Sequence, residues 1–272
     1  MARRTAPTGH ATRGTTGTNR LRRVDRWIAA RREFTSAASP LVVDLGFGAS
    51  GVTAFELYAR LVKAHPTVEV LGIEIDPERV ARANEQLAEV RSGTTAFPAD
   101  ARVSFLKGGF ETPTDRAPQI IRAFNVLRQY DEADVLAAWA LMAGRLNPGG
   151  LLVEGTCDEI GRVSSWIDID HTATPLRLTV SLRLAGLVAP SIVAERLPKA
   201  LIHHNVAGER VHAYISALDD AWERNAPLGT FGPVQRWLAT VRAVKDAGWP
   251  VQGTPSRWRL GEVTVDWAAV AP

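Results

Sequence analysis

A single cysteine, Cys157, in 272 residues excludes any disulfide within the chain and any cysteine cluster that could hold zinc. The six histidines are scattered, with no HxH or HxxxH pair beside a carboxylate cluster, so no metal site is expected. No run approaches the roughly 18 apolar residues that cross a bilayer, and the start of the chain lacks the apolar stretch of a secretory leader. These features lead us to expect a cytoplasmic protein without a membrane partner. Lysine is also scarce, with four against 28 arginines, which fits the codon bias of a high-GC, bacterial genome better than any single physical cause. What is present is ordinary for a globular chain: 46% hydrophobic and 22% charged residues, far from the signature of disorder.

The net charge of +3 conceals an asymmetry. Residues 1–32 hold nine arginines and one acid, Asp25, leaving 23 basic and 28 acidic side chains in the other 240 residues. The basic character therefore belongs to an arm, and the body is mildly acidic, which argues against a basic nucleic-acid groove on the folded domain. Residues 1–19 are Thr, Gly, Arg and Ala with almost no large apolar side chain, and are expected to form a disordered arm that contributes little to any pocket. The spacing of Leu21, Val24, Trp27 and Ile28 predicts an amphipathic helix within 20–38, ending before Ser39 and Pro40.

From residue 39 an alternation of strands and helices sets in. Strands are predicted at 41–45, 68–75, 102–106, 119–125 and 151–156, with helices at 52–64, 77–90 and 132–146. Asp76 before Pro77 is a strong helix start, an N-cap followed by proline at the first helical position. Strands separated by helices of this length imply right-handed crossovers and a parallel sheet covered on both faces. Beyond Cys157 the pattern loosens. Segments 162–169 and 175–184 are expected to pair as a hairpin, helices are expected at 191–202, 210–224 and 233–247, and a last strand at 258–267. Six of the eight tryptophans fall in this part and are read mainly as core packing.

The segment LVVDLGFGASG at 41–51 carries the clearest chemistry. Gly46 and Gly48 stand where a strand turns into a helix, and missing side chains there let backbone amides approach a ligand at the positive end of the helix. Gly46, Gly48 and Gly51 satisfy the GxGxxG spacing of a dinucleotide site, and Glu74 lies 23 residues past Gly51, where an acid binds ribose hydroxyls. An NAD(P)-dependent oxidoreductase is thus one reading. Against it stands Asp44, two residues before the first glycine, where an apolar residue is usual; a carboxylate there wants a cationic partner.

With this acid included, the segment resembles the first motif of class I S-adenosylmethionine (SAM)-dependent methyltransferases, D/E-x-G-x-G-x-G, here Asp44, Gly46, Gly48 and, in place of the third glycine, Ser50. LGIEIDP resembles the family's second motif, an acid ending strand two, and LNPGGLLVEG at 146–155 resembles its L-x-P-G-G-x-L segment. The three cover about residues 40–156. The resemblance implies a doubly wound, mostly parallel, seven-stranded Rossmann-like α/β sheet with C-terminal helical insertions in 157–272. It implies SAM as cofactor, its methionine part in the glycine turn with Asp44 toward the ammonium, its ribose hydroxyls on Glu74 and its adenine against Ile75. Gly109 stands where many members place an acid for the adenine amino group, leaving that contact to main chain and Phe110.

Asn125, in the run IIRAFNVL, is similar to the residue at the end of strand four beside the transferring methyl, and heads the candidates for a catalytic role. Asp158, after strand five, is a candidate general base, although acids there, with Glu159, also suit a helix N-terminus. Tyr130, with Arg128, and His203 and His204 are candidates for the acceptor pocket. The Asp/Asn-Pro-Pro-aromatic run of nucleic-acid amino-methylating enzymes is absent after strand four. A small molecule or protein side chain is therefore favoured as acceptor over RNA, which stays as the alternative.

Overall fold

The structure is a computed structural model that describes residues 6–14 and 17–272. The part of the expected disordered arm at residues 1–5 and 15–16 lies outside the described residues. The parallel strands are β1 (Leu41–Leu45), β2 (Glu69–Glu74), β3 (Val103–Lys107), β4 (Ile120–Phe124) and β5 (Leu151–Cys157). They are followed by β6 (Val163–Asp170), β7 (Pro175–Leu182), β8 (Val251–Gln252) and β9 (Glu262–Asp266). All nine form one sheet in the order β3-β2-β1-β4-β5-β6-β7-β9-β8. The helices are α1 (Arg22–Ala29), α2 (Arg32–Thr35), α3 (Val52–Leu61), α4 (Pro77–Arg91), α5 (Glu132–Ala143), α6 (Lys199–Ile202), α7 (Arg210–Arg224), α8 (Pro233–Asp246) and α9 (Pro255–Trp258).

The expected seven-stranded, mostly parallel sheet is corrected in number and direction. β1 to β5 pair in parallel as the βα alternation requires. From β5 onward every pairing is antiparallel; short turns rather than helices join β5 to β6 and β6 to β7. The predicted hairpin is present as β6 and β7, and it extends the main sheet.

Two other expectations changed for local reasons. The single helix over 20–38 is broken into α1 and α2 at Arg31, which adopts an extended conformation and lays its guanidinium over the Trp27 ring at 4.8 Å. The helix expected over 191–202 is a 3-10 helix, Pro190–Arg196, then α6, with extended Leu197 between. Pro198 explains the break, since its ring disfavours the helical conformation of the preceding residue.

The sheet separates two apolar cores. On one face Val42, Val70, Ile120, Val153 and Trp166 pack beneath α1, α3 and α4; on the other Val43, Ile121, Leu152, Ile167 and Val180 pack beneath α5, α7 and α8. Trp166 and Trp237 are fully buried and Trp222 and Trp258 nearly so, as packing residues. Among the described residues no helix is long and apolar enough to cross a membrane.

Candidate functional site

The carboxyl ends of β1, β2, β3 and β4 converge on a cleft, where a strand order that reverses between β1 and β4 leaves room for a ligand. Gly46 and Gly48 make the turn from β1 into α3 with φ of +70° and +86°. A Cβ on Gly46 would stand 2.5 Å from Val126 Cγ2, so both conformation and close approach require glycine. Glu74 ends β2, is 3% exposed, and turns its carboxylate toward this loop. Its Oε2 accepts the Gly48 N–H at 3.1 Å and its Oε1 the Ile75 N–H at 2.8 Å. Arg79, in the first turn of α4, places Nη1 3.5 Å from Glu74 Oε2.

Two cavities share Thr12 and Gly46 in their walls. The first is bounded by Asp44, Gly46, Gly48, Asn125 and Arg20. The second is bounded by Glu74, Ile75, Gly109, Phe110 and Tyr130. The fold therefore gathers nine of the residues singled out in the sequence along one cleft, while Ser50, Arg128, Asp158, His203 and His204 line neither cavity.

Asp44 is 2% exposed, and its carboxylate already has a cationic partner inside the protein. Arg122, its cross-strand neighbour on β4, donates from Nε to Oδ1 at 3.1 Å and pairs through Nη2 with Oδ2 at 2.7 Å; Thr53 Oγ1 adds a donor to Oδ2 at 2.7 Å. Arg122 also pairs with Asp25 of α1, which is fully buried and bonded to Arg60 at 2.7 Å. Burial alone would weaken the hold of Arg122 on its proton, but the charges of Asp44 and Asp25 keep it above the ordinary guanidinium range. The cation that a carboxylate at Asp44 calls for is thus supplied within the chain by Arg122, while Asp44 also lines the first cavity. This ion network was missed, although an arginine inside the apolar run IIRAF was a signal for it.

Asn125 occupies the left-handed region at φ 60°. Its Oδ1 accepts the Cys157 N–H at 2.9 Å and its Nδ2 donates toward Cys157 Sγ at 3.3 Å, so the side chain braces β4 against β5 while lining the cleft. Asp158 is placed elsewhere. Its Oδ1 accepts the Arg162 N–H at 2.7 Å, closing the β5–β6 turn, and the residue lines a separate depression with Val188 and Ile192. It does not face the cleft, which removes the geometry a general base would need there. His203 and His204 flank Glu132 at the start of α5, with His204 Nε2 3.1 Å from Oε1, and line neither cavity. Arg128 reaches the Leu197 carbonyl at 3.4 Å. Among the described residues no group of three or more His, Cys, Asp or Glu could hold a metal.

The largest departure from expectation is the arm. Residues 8–14, expected to be disordered, run over the cleft and line both cavities. They are fixed by Tyr130, Glu111, Arg79 and Gln129, groups that the apolar content of the arm gave no means of anticipating. The arginines that follow are likewise engaged by the body. Arg20 donates to the Asp158 carbonyl, Arg22 to that of Ile160, and Arg23 to those of Gly161 and Leu260.

No family model matches the sequence, and no curated protein matches it. Solved structures match part of the chain. One is the mitomycin 7-O-methyltransferase, 24% identical, with 50% of this chain and 36% of that one covered and a TM-score of 0.37. Another is the magnesium protoporphyrin IX methyltransferase of Synechocystis PCC 6803 with bound SAH, 18% identical, covering 50% and 54%, TM-score 0.38. A third is human N-acetylserotonin methyltransferase in complex with SAM, 20% identical, covering 51% and 35%, TM-score 0.35. The likeness is confined to about half of this chain and to less than two thirds of each of those.

Proposed function

We propose that the protein is a SAM-dependent methyltransferase acting on a small molecule. The observation that carries this reading is the Glu74 carboxylate set against the amide of Gly48 at the mouth of a glycine turn. A dinucleotide site aims such amides at a pyrophosphate; here the same amide faces a carboxylate, and a diphosphate would meet like charge. An adenosine whose other end is a cation fits both features. Glu74 would hold the ribose hydroxyls, Ile75 and Phe110 would flank the base, and the turn at Gly46 and Gly48 would take the methionine part.

When bound, SAM supplies an electrophilic methyl group for an in-line displacement. The chain's own contribution is placement: an acceptor atom held about 3 to 3.5 Å from its target gains several kcal/mol of the barrier from orientation alone. Asn125 is held rigidly at this point by its two contacts with Cys157, and Phe124, Gln129 and Arg20 complete the wall. A small acceptor is favoured because the arginines that might have tracked phosphates, Arg20, Arg22 and Arg23, donate to carbonyls of the body instead.

Calorimetry and thermal shift with SAM, S-adenosylhomocysteine (SAH), NAD and NADP test the reading. SAM or SAH is expected to stabilise the protein by about 2.7 kcal/mol at a hundredfold excess over Kd. Binding of NAD or NADP with no response to either adenosyl compound would refute it. Glu74→Ala is expected to weaken SAH binding by about 1 to 3 kcal/mol, because two hydroxyls lose a charged acceptor in a nearly dry site.

A further inference from the structure

Residues 8–14 touch the loop that follows each of the four strands surrounding the cleft. After β1, the Ala49 N–H donates to the Gly14 carbonyl at 2.9 Å. After β2, Arg79 Nη2 donates to the Thr12 carbonyl at 2.8 Å. After β3, the Phe110 N–H donates to the Thr8 carbonyl at 3.0 Å, and Glu111 accepts the Thr8 N–H at 2.7 Å. After β4, Gln129 Oε1 accepts the Arg13 N–H at 2.9 Å, and the Tyr130 hydroxyl accepts the His10 N–H at 2.7 Å while donating to the His10 carbonyl at 3.0 Å. The His10 ring stacks on Tyr130 with centroids 4.0 Å apart.

The cleft is shaped to receive this segment. A Cβ on Gly109 would lie 2.0 Å from the Thr8 carbonyl oxygen, a contact with backbone that no side-chain movement relieves. Next to Thr8, Gly9, at φ +117°, brings its backbone against the Tyr130 hydroxyl. Arg79 joins strap and site directly, since one guanidinium bonds the Thr12 carbonyl and stands beside Glu74.

We propose that residues 8–14 are a strap that belongs to the cofactor site, closing the nucleoside cavity that Glu74, Ile75, Gly109 and Phe110 bound from below. The proposal rests on the reading of the cleft as a SAM site and assigns its fourth wall. The strap keeps water from the buried Glu74 carboxylate, and cofactor exchange then requires it to lift. By linkage, whatever binds the closed cavity holds the strap down.

The test uses SAH as probe. Calorimetry compares the full chain with a variant lacking residues 1–14, its fold checked by circular dichroism, and limited trypsin digestion of the full chain follows cleavage after Arg13 with and without SAH. We expect the deletion to weaken SAH binding tenfold or more and SAH to slow cleavage after Arg13. Gly109→Ala, which keeps the arm but collides with Thr8, should expose Arg13 to trypsin in the absence of SAH. A smaller loss on deletion, or cleavage that SAH leaves unchanged or accelerates, overturns the strap while leaving the SAM reading intact. No binding of SAH to the full chain removes that reading and the strap with it.

Discussion

β1 and β5 each bury an acid in the middle of the sheet, and the protein treats the two in opposite ways. Asp44 stands opposite Arg122 in register and reaches a guanidinium and a hydroxyl. Glu154, fully buried on β5, stands between Ala123 and Ile167, and neither of its oxygens has a hydrogen-bond partner. Burial pushes its pKa up to about 8, against the slight pull of the Trp139 indole, so at neutral pH it is mainly the uncharged acid. A third buried acid, Asp168 on β6, is paired as Asp44 is, its cross-strand neighbour Arg177 donating to it at 2.6 Å, although burial still raises its pKa against the pull of that guanidinium. A register partner of opposite charge decides whether an acid inside this sheet is met by an ion pair or left without a partner.

The largest effect is expected from removing the shared cation. Arg122→Met leaves Asp44 and Asp25 buried together without their common partner, and should cost about 3 to 5 kcal/mol, the usual penalty for breaking a buried ion pair from one side. Chemical denaturation reads it, with a proportional fall in midpoint at unchanged slope. Loss of less than about 1 kcal/mol would mean that the two acids do not depend on their shared guanidinium, and the contrast between the strands would vanish.

A smaller effect of opposite sign is expected at Glu154. In the unfolded chain this acid titrates near 4.5 and in the folded protein near 8. Between those values the folded state binds the extra proton, so the contribution of Glu154 to stability is fullest below pH 4.5 and is lost as pH rises to 8. Glu154→Gln removes that dependence. Relative to the parent, the variant should gain a few kcal/mol between pH 4.5 and pH 8, on top of a constant loss from the amide's own unpartnered atoms. Parallel stability curves for the two proteins across this range would show that Glu154 finds a partner after all.

The same contrast explains what could be read before the structure was known. The parallel half was legible because each strand and helix there has a local cause: β1 begins and ends as expected, and Asp76 with Pro77 starts α4, its carboxylate accepting the Glu78 N–H at 2.9 Å. Glu74 and the glycine turn were legible for the same reason, their spacing being set by one βα unit. Arg122 and Asp25 were not, because their partners lie 78 and 97 residues away from Arg122 along the chain. The strap was hidden for a related reason. Its stability comes from hydrogen bonds to Arg79, Glu111, Gln129 and Tyr130, and a segment judged by its own apolar content gives no sign of them. Asp158 was misplaced because its role is set by the turn into β6, where pattern reading gives only approximate boundaries.

The smallest expected effect sharpens the comparison on the Asp44 side. Thr53 Oγ1 donates to Asp44 Oδ2 at 2.7 Å, and Arg122 Nη2 pairs with the same oxygen at the same distance. Thr53→Val keeps the branched shape in α3 and removes only the hydroxyl. Because the guanidinium remains, Asp44 keeps its ion pair, and the loss should be that of one hydrogen bond, about 1 kcal/mol in denaturant unfolding. SAH affinity should stay within about twofold, since the carboxylate holding the turn is still anchored. A loss as large as that of Arg122→Met would make the hydroxyl, and not the charge across the strands, the main partner of this buried carboxylate. Tighter SAH binding in Thr53→Val would instead show that the freed lone pair of Asp44 reaches the ligand's ammonium, giving this carboxylate a second cation beside Arg122.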